Sequence, residues 1–154
     1  MARKAIKIFL DSNVLLSGLL SEKGAPRVLL DILCLDLPLV KGVTGAYSIQ
    51  ETERNIKKRL PAILDIYRSY FPKLRLEIIP IPPIETVKPY IGMIAAKDAP
   101  VLASAVTSGA DYLVTGDKKD FDKLKDSAAI PVKVVSPSEL VYLIGHMFSS
   151  DLAE

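Results

Sequence analysis

Chemistry in this chain has to come from carboxylates. The 154 residues contain one histidine and one cysteine. His146 lies near the C-terminus, far from any other polar cluster, and reads as structural or surface, which leaves histidine-based proton transfer without a candidate. Cys34 sits in the apolar run Val28-Leu29-Leu30-Asp31-Ile32-Leu33-Cys34-Leu35 and reads as a buried thiol with no activating partner. It also cannot close an internal disulfide. No glycine-rich phosphate loop is present. Four acids remain that the chain can bring together: Asp11, Asp98, Asp117, and either Glu51 or Glu53. Carboxylates crowded into one place repel and raise each other's pKa. Such a group is sensible when a divalent cation neutralises it, and oxygen-only ligands suit magnesium or manganese.

The elements around these acids explain why they would meet. Ala5 to Leu10 is short, apolar and β-branched, a buried strand that ends at Asp11. Tyr112-Leu113-Val114-Thr115 is another such strand, followed at once by Gly116-Asp117. Both aspartates therefore fall at strand carboxyl ends, where open α/β sheets bind ligands. Asp98-Ala99-Pro100 opens a helix with Asp at the N-cap, and Gly109 ends it. Glu51 and Glu53 lie in a helix starting near Thr44 and running to about Leu60. On its wheel Ile49, Ile56 and Leu60 share a face with Glu53 beside it, while Glu51 lies on the other side with Asn55 one turn on. Periodicity alone leaves both glutamates open.

The remaining pattern predicts further elements. Ser12 can cap a helix carrying Leu15, Leu16, Leu19 and Leu20, and Pro26 in the first turn opens a second helix from Ala25 to Leu35. Strands are expected over Leu39–Val43, Leu76–Ile81 and Val132–Val135. Helices are expected over Ile63–Phe71 and over Ile84–Ala96, the latter kinked at Pro89. Ser136-Pro137-Ser138-Glu139 is a capping box that opens a last helix to about Phe148. Strands alternating with helices predict one α/β domain over residues 1–154: a three-layer α/β/α sandwich on a mainly parallel sheet of about five strands.

Composition excludes little else. Hydrophobic residues are 49% and charged residues 25% of the chain, ordinary for a globular domain. No apolar run is long enough for a membrane span. Asp11 interrupts the first apolar stretch too early for a secretory leader, so a cytoplasmic protein is expected. A net charge of +2 says little, but cations gather in the stretch from Arg54 to Arg75 and again from Lys118 to Lys125. Such runs neutralise phosphates or simply face solvent.

The acids also stand in familiar motifs. Ile8-Phe9-Leu10-Asp11-Ser12-Asn13-Val14 resembles the opening motif of the PIN-domain family. Tyr47 to Ile56 resembles the segment carrying its second acid. Asp98 to Ala105, followed by Gly109 to Asp117, resembles its third and fourth acidic motifs in order. The likeness runs from about Ile6 to Leu143, and the block from Asp98 to Asp117 is its most specific part.

The resemblance implies metal-dependent endoribonuclease activity on single-stranded regions of RNA. Asp11, Glu51, Asp98 and Asp117 would then be the catalytic, metal-binding acids. Its pattern favours Glu51 over Glu53. Asn13 and Thr115 would orient the carboxylates, Asp120 would be an extra acid, and Lys97, Lys118 and Lys119 would meet substrate phosphate. It further implies Mg2+ or Mn2+ as cofactor, a toxin role in a toxin–antitoxin pair, an antitoxin protein as partner, and a homodimer. Two other readings compete. A catalytically silent module would bind RNA or protein through the same fold. A haloacid-dehalogenase-type phosphatase would share the Asp after strand one and a late Gly-Asp, but its general acid would fall at Asn13, which cannot serve.

Overall fold

The computed structural model describes residues 5–117, 121–124 and 128–153. The chain runs β1 (Ile6–Leu10), α1 (Ser12–Leu20), α2 (Ala25–Cys34), β2 (Val40–Gly45), α3 (Ala46–Arg59), α4 (Leu64–Tyr70), β3 (Glu77–Ile79), α5 (Ile84–Val87), α6 (Ala99–Thr107), β4 (Tyr112–Val114), β5 (Lys133–Val135) and α7 (Pro137–Ala153). The five strands form one sheet in the order β3-β2-β1-β4-β5, and every pair is parallel. Among the described residues no helix is long and apolar enough to cross a membrane.

Alternation along β1 divides the core. Phe9 points to one face, where it meets Val43, Leu113 and the apolar side of α6. Ile8 and Leu10 point to the other, against Leu15, Leu29, Leu30, Leu140 and Ile144 of α1, α2 and α7. Side chains two residues apart share a face of a strand, so one five-residue strand serves both layers. The result is the expected α/β/α sandwich.

Strand order fixes where a site can lie. The chain steps outward from β1 to β2 and β3, then returns to the other side of β1 to add β4 and β5. Between β1 and β4 the direction of winding reverses, which opens a crevice beyond their carboxyl ends. Asp11 and Thr115 are the first residues past those two strands. The backbone holds that corner shut: Asp11 N–H donates to the Val114 carbonyl (3.0 Å), and Thr115 N–H donates to the Val135 carbonyl (3.0 Å).

Several elements differ from the sequence expectation. β2 runs on through Thr44 and Gly45, where the spacing predicts a helix start, because Thr44 Oγ1 donates to the Leu10 carbonyl (2.8 Å) and both residues pair with β3. Gly45 is also a close approach: a Cβ there would meet the Phe9 ring and Ser104 Oγ at 3.3 Å. β3 stops at Ile79 rather than Ile81, since Pro80 has no N–H to give the ladder. The helix expected over Ile84–Ala96 ends at Val87, followed by a tight turn over Lys88–Tyr90. Pro89 removes one helical donor, and Gly92 at φ +98° takes the chain into left-handed space. α7 forms the predicted capping box: Glu139 N–H donates to Ser136 Oγ and Ser136 N–H donates to Glu139 Oε1, both at 3.1 Å. It extends past Phe148 to Ala153. Cys34 is half-buried at the end of α2 rather than enclosed. His146 is exposed, its ring edge-on to Tyr142.

Candidate active site

Asp11 is the centre of the switch-point crevice. It caps α1 as the N-cap residue, the place the sequence offered to Ser12. Its side chain is 5% exposed and fixed from both ends. Oδ1 accepts from Ser12 N–H (2.8 Å). Oδ2 accepts from Thr115 Oγ1 (2.9 Å) and from Asn13 Nδ2 (3.4 Å). Burial pushes its pKa up to about 6. The hydrogen bonds from Thr115 and Ser12 pull against that shift, while the negative charges of Glu51 and Asp117 add to it.

Thr115 organises the other side of the crevice. Its hydroxyl donates to Asp11 and accepts from Asp117 N–H (3.0 Å). Asn13 Nδ2 also reaches it at 3.2 Å. Asn13 in turn accepts from Gly116 N–H (2.9 Å) through Oδ1. Asn13 and Thr115 thus tie the loop carrying Asp117 to the loop carrying Asp11. Both amide ends of Asn13 are used as braces.

Glu51 arrives from α3. Ser12 Oγ donates to its Oε1 in a short hydrogen bond. Ser12 therefore touches two acids, Asp11 through its N–H and Glu51 through its hydroxyl. Glu53 turns away and accepts from the Tyr67 hydroxyl (3.3 Å) over α4. A helix presents residues two apart on different sides, so only one of the two can face α1. Ser12 is the member of this cluster that sequence reasoning assigned only as a helix cap. A hydroxyl next to a strand-end Asp was the one signal available.

Asp98 holds the N-cap position of α6, but its side chain makes no capping hydrogen bond there. Its neighbour Lys97 is exposed, and the Lys97 carbonyl accepts from the Tyr47 hydroxyl (3.4 Å). Since Tyr47 lies in the first turn of α3, that hydrogen bond brings the start of α6 beside the start of α3, at the sheet edge that carries Asp11. Lys118, Lys119 and Asp120 lie outside the described residues.

Whether these groups suit a divalent ion can be judged from their chemistry. Among the described residues no three His, Cys, Asp or Glu side chains form a ready-made cation cluster. The charges of Glu51 and Asp117 nevertheless bear on Asp11, and the three acids offer only oxygen as ligand atoms. A buried carboxylate with two acidic neighbours is relieved by a hard cation. The donor set fits magnesium or manganese.

The sequence matches the PIN domain family over residues 7–119. The chain belongs to the PIN-domain family. The match runs from Lys7 within β1 past the end of β4 and takes in all four acids. Its fold is similar to solved structures of the same shape. One is VapBC2 from Rickettsia felis bound to a DNA fragment from its promoter, with a TM-score of 0.56, 18% identity, and coverage of 85% of this chain and 98% of that chain. A second is DNA-bound VapBC from Salmonella typhimurium, with a TM-score of 0.63, 14% identity, and coverage of 86% and 98%. A third is a toxin–antitoxin complex from Klebsiella pneumoniae, with a TM-score of 0.55, 22% identity, and coverage of 84% and 97%. At these identities the likeness is one of fold. No curated protein matches the sequence. Membership of the PIN-domain family removes the phosphatase alternative, and the bracing role of the Asn13 amide agrees with that.

Proposed function

We propose that this PIN-domain protein, one domain over its 154 residues, is a metal-dependent endoribonuclease acting on single-stranded RNA. The observation that carries the proposal is the state of Asp11: buried, held by three donors, and pressed by Glu51 and Asp117. Burying a carboxylate beside two other acids is costly, and a bound cation offsets that cost.

Asp11, Glu51, Asp98 and Asp117 would hold one or two Mg2+ or Mn2+ ions. Bound there, such an ion would supply Lewis-acid activation of water and charge stabilisation at phosphorus. The protein's own residues do the positioning. Thr115, Asn13 and the Ser12 N–H fix the Asp11 carboxylate in one rotamer, so its oxygens need no reorganisation on binding. The Ser12 hydroxyl anchors Glu51 across the crevice. Asp117 N–H is held by Thr115, and Lys118, Lys119 and the extra acid Asp120 follow it in the sequence. Lys97, with Lys118 and Lys119, would neutralise substrate phosphate.

The likeness of fold to VapBC structures, two of them DNA-bound, supports a toxin paired with an antitoxin protein in the cytoplasm. Exposed Leu20 and Val28 on α1 and α2, at 52% and 43%, support a homodimer.

Cleavage of labelled single-stranded RNA, with manganese, with magnesium and with chelator, beside Asp11→Asn, tests the proposal. Metal-requiring cleavage lost in the variant is expected. Cleavage that survives chelator or the variant would overturn the site. Metal binding without any cleavage would favour the silent binding module.

A further inference from the structure

The outer face of α3 carries a line of exposed cations that starts at Glu51. Arg54 and Lys58 lie three and seven residues beyond Glu51, within one stripe of the helix. Lys57 and Arg59 flank that stripe. All four cations are exposed, and none is ion-paired to a described residue. The opposite side of the same helix is buried through Ser48, Thr52 and Ile56. The stripe therefore faces outward while its first member, Glu51, turns into the crevice through Ser12.

Placement along the axis is specific. An α-helix rises about 1.5 Å per residue, so Arg54 and Lys58 stand about 4.5 and 10.5 Å from Glu51 along α3. The two are about 6 Å apart, enough to meet different phosphates of a strand whose charge repeats every 3.4 Å or so when stacked. On the other side of Glu51, Tyr47 ties the start of α3 to Lys97. Lys97 thus lies near the start of α3, while Arg54 and Lys58 lie on its later turns.

Helix polarity explains part of this composition. Lys57, Lys58 and Arg59 fill the last turn, where positive charge meets the negative end of the helix. Arg54 stands a turn earlier, outside the range of that effect, and it continues the line toward Glu51.

We propose that Arg54 and Lys58 bind the backbone phosphates of RNA on one side of the scissile bond, so that the strand lies along α3 from the crevice toward its C-terminus. This rests on the ribonuclease reading. It makes α3 a two-part element, its second turn supplying an acid and its later turns holding the substrate that acid acts on. Phosphate binding of this kind positions a strand without reading its sequence.

The test is equilibrium binding of a labelled single-stranded RNA of mixed sequence at several salt concentrations. It is run with wild type in chelator, and again in the Asp11→Asn background with magnesium so that no RNA is cut. The test variant is Arg54→Gln/Lys58→Gln. The control, Arg68→Gln/Lys73→Gln, removes two exposed cations that lie off the stripe. For a single strand, each phosphate that is no longer neutralised by a side chain lowers the slope of log affinity on log salt by about 0.7. The test variant should bind more weakly at low salt, with a slope smaller by about 1.4. Its deficit should close about sevenfold between 50 and 200 mM salt. The control should keep the wild-type slope. A wild-type slope in Arg54→Gln/Lys58→Gln would overturn the proposal and leave the nuclease reading intact. Absence of RNA binding both by wild type in chelator and by Asp11→Asn with magnesium would overturn both.

Discussion

Replacing Asp11 with asparagine should stabilise the metal-free protein, although it removes the central acid. The Asp11 carboxyl has its pKa raised from 3.8 to about 6 by burial and by the charges of Glu51 and Asp117. A group whose pKa is raised on folding favours the folded state when protonated. Its contribution is fully present below pH 3.8 and is lost as pH rises through about 6. The difference is roughly two pKa units. At 1.36 kcal/mol per unit, the ionised carboxylate costs the metal-free fold about 3 kcal/mol above pH 7. Asparagine removes that cost but turns one acceptor into a donor against Asn13 and Thr115, a loss of about 1 kcal/mol. A net gain of about 2 kcal/mol remains at pH 8, or about 4–8 °C in Tm for a domain of this size. Near pH 4 the wild-type carboxyl is already protonated, so the gain disappears. Thermal unfolding of both proteins in chelator at pH 4 and pH 8 measures it. A variant no more stable than wild type at pH 8, or a difference that does not change with pH, would refute the electrostatic account of the crevice.

Four further outcomes are expected from the same hydrogen bonds and charges. Magnesium at millimolar concentration should raise the Tm of wild type and leave Asp11→Asn unmoved, since only ligand that binds the folded state stabilises it. Ser12→Ala frees Glu51 and should weaken manganese binding by calorimetry about 10-fold or more, with Ser12→Thr restoring it. Thr115→Val leaves Asp11 without its hydroxyl donor and Asp117 N–H without its acceptor. It should cost about 1–3 kcal/mol in denaturant unfolding and depress cleavage of labelled RNA. Ser136→Ala removes one arm of the box at the start of α7 and should cost about 1 kcal/mol by the same unfolding measurement, with RNA cleavage unchanged.

The fold is readable from alternating periodicities because each strand is short, apolar and bounded by a turn residue. β1 and β4 end in Asp11 and Thr115-Gly116-Asp117, so their place at the carboxyl edge follows from strand direction alone. The segment after Pro83 escapes such a reading because its apolar spacing looks helical, while Pro89 and the left-handed Gly92 act on the backbone and leave that spacing intact. Glu51 and Glu53 cannot be separated by helix phase, since they flank the buried stripe of Ser48, Thr52 and Ile56 on opposite sides. What separates them is a pair of hydrogen bonds distant in sequence, Ser12 with Glu51 and Tyr67 with Glu53. The double duty of Thr115 is equally hidden, because a threonine at a strand end gives no sign of which oxygen it will meet.

The bond from Thr115 to Asp11 spans 104 residues of chain, and β4 pairs with β1 along its whole length. Asp11 therefore leaves the ribosome 104 residues before the hydroxyl that helps to fix it. Pairings so distant in sequence close late and slow folding. A nascent chain that has not yet delivered β4 from the ribosome therefore lacks the Thr115 hydroxyl on its first acid, and any chemistry that needs the assembled crevice waits for β4. A fragment ending before residue 112 contains the α3 sequence and its cations but lacks the Thr115 hydroxyl that bonds Asp11. The topology thus acts as a delay, separating the birth of Asp11 from the completion of the crevice around it.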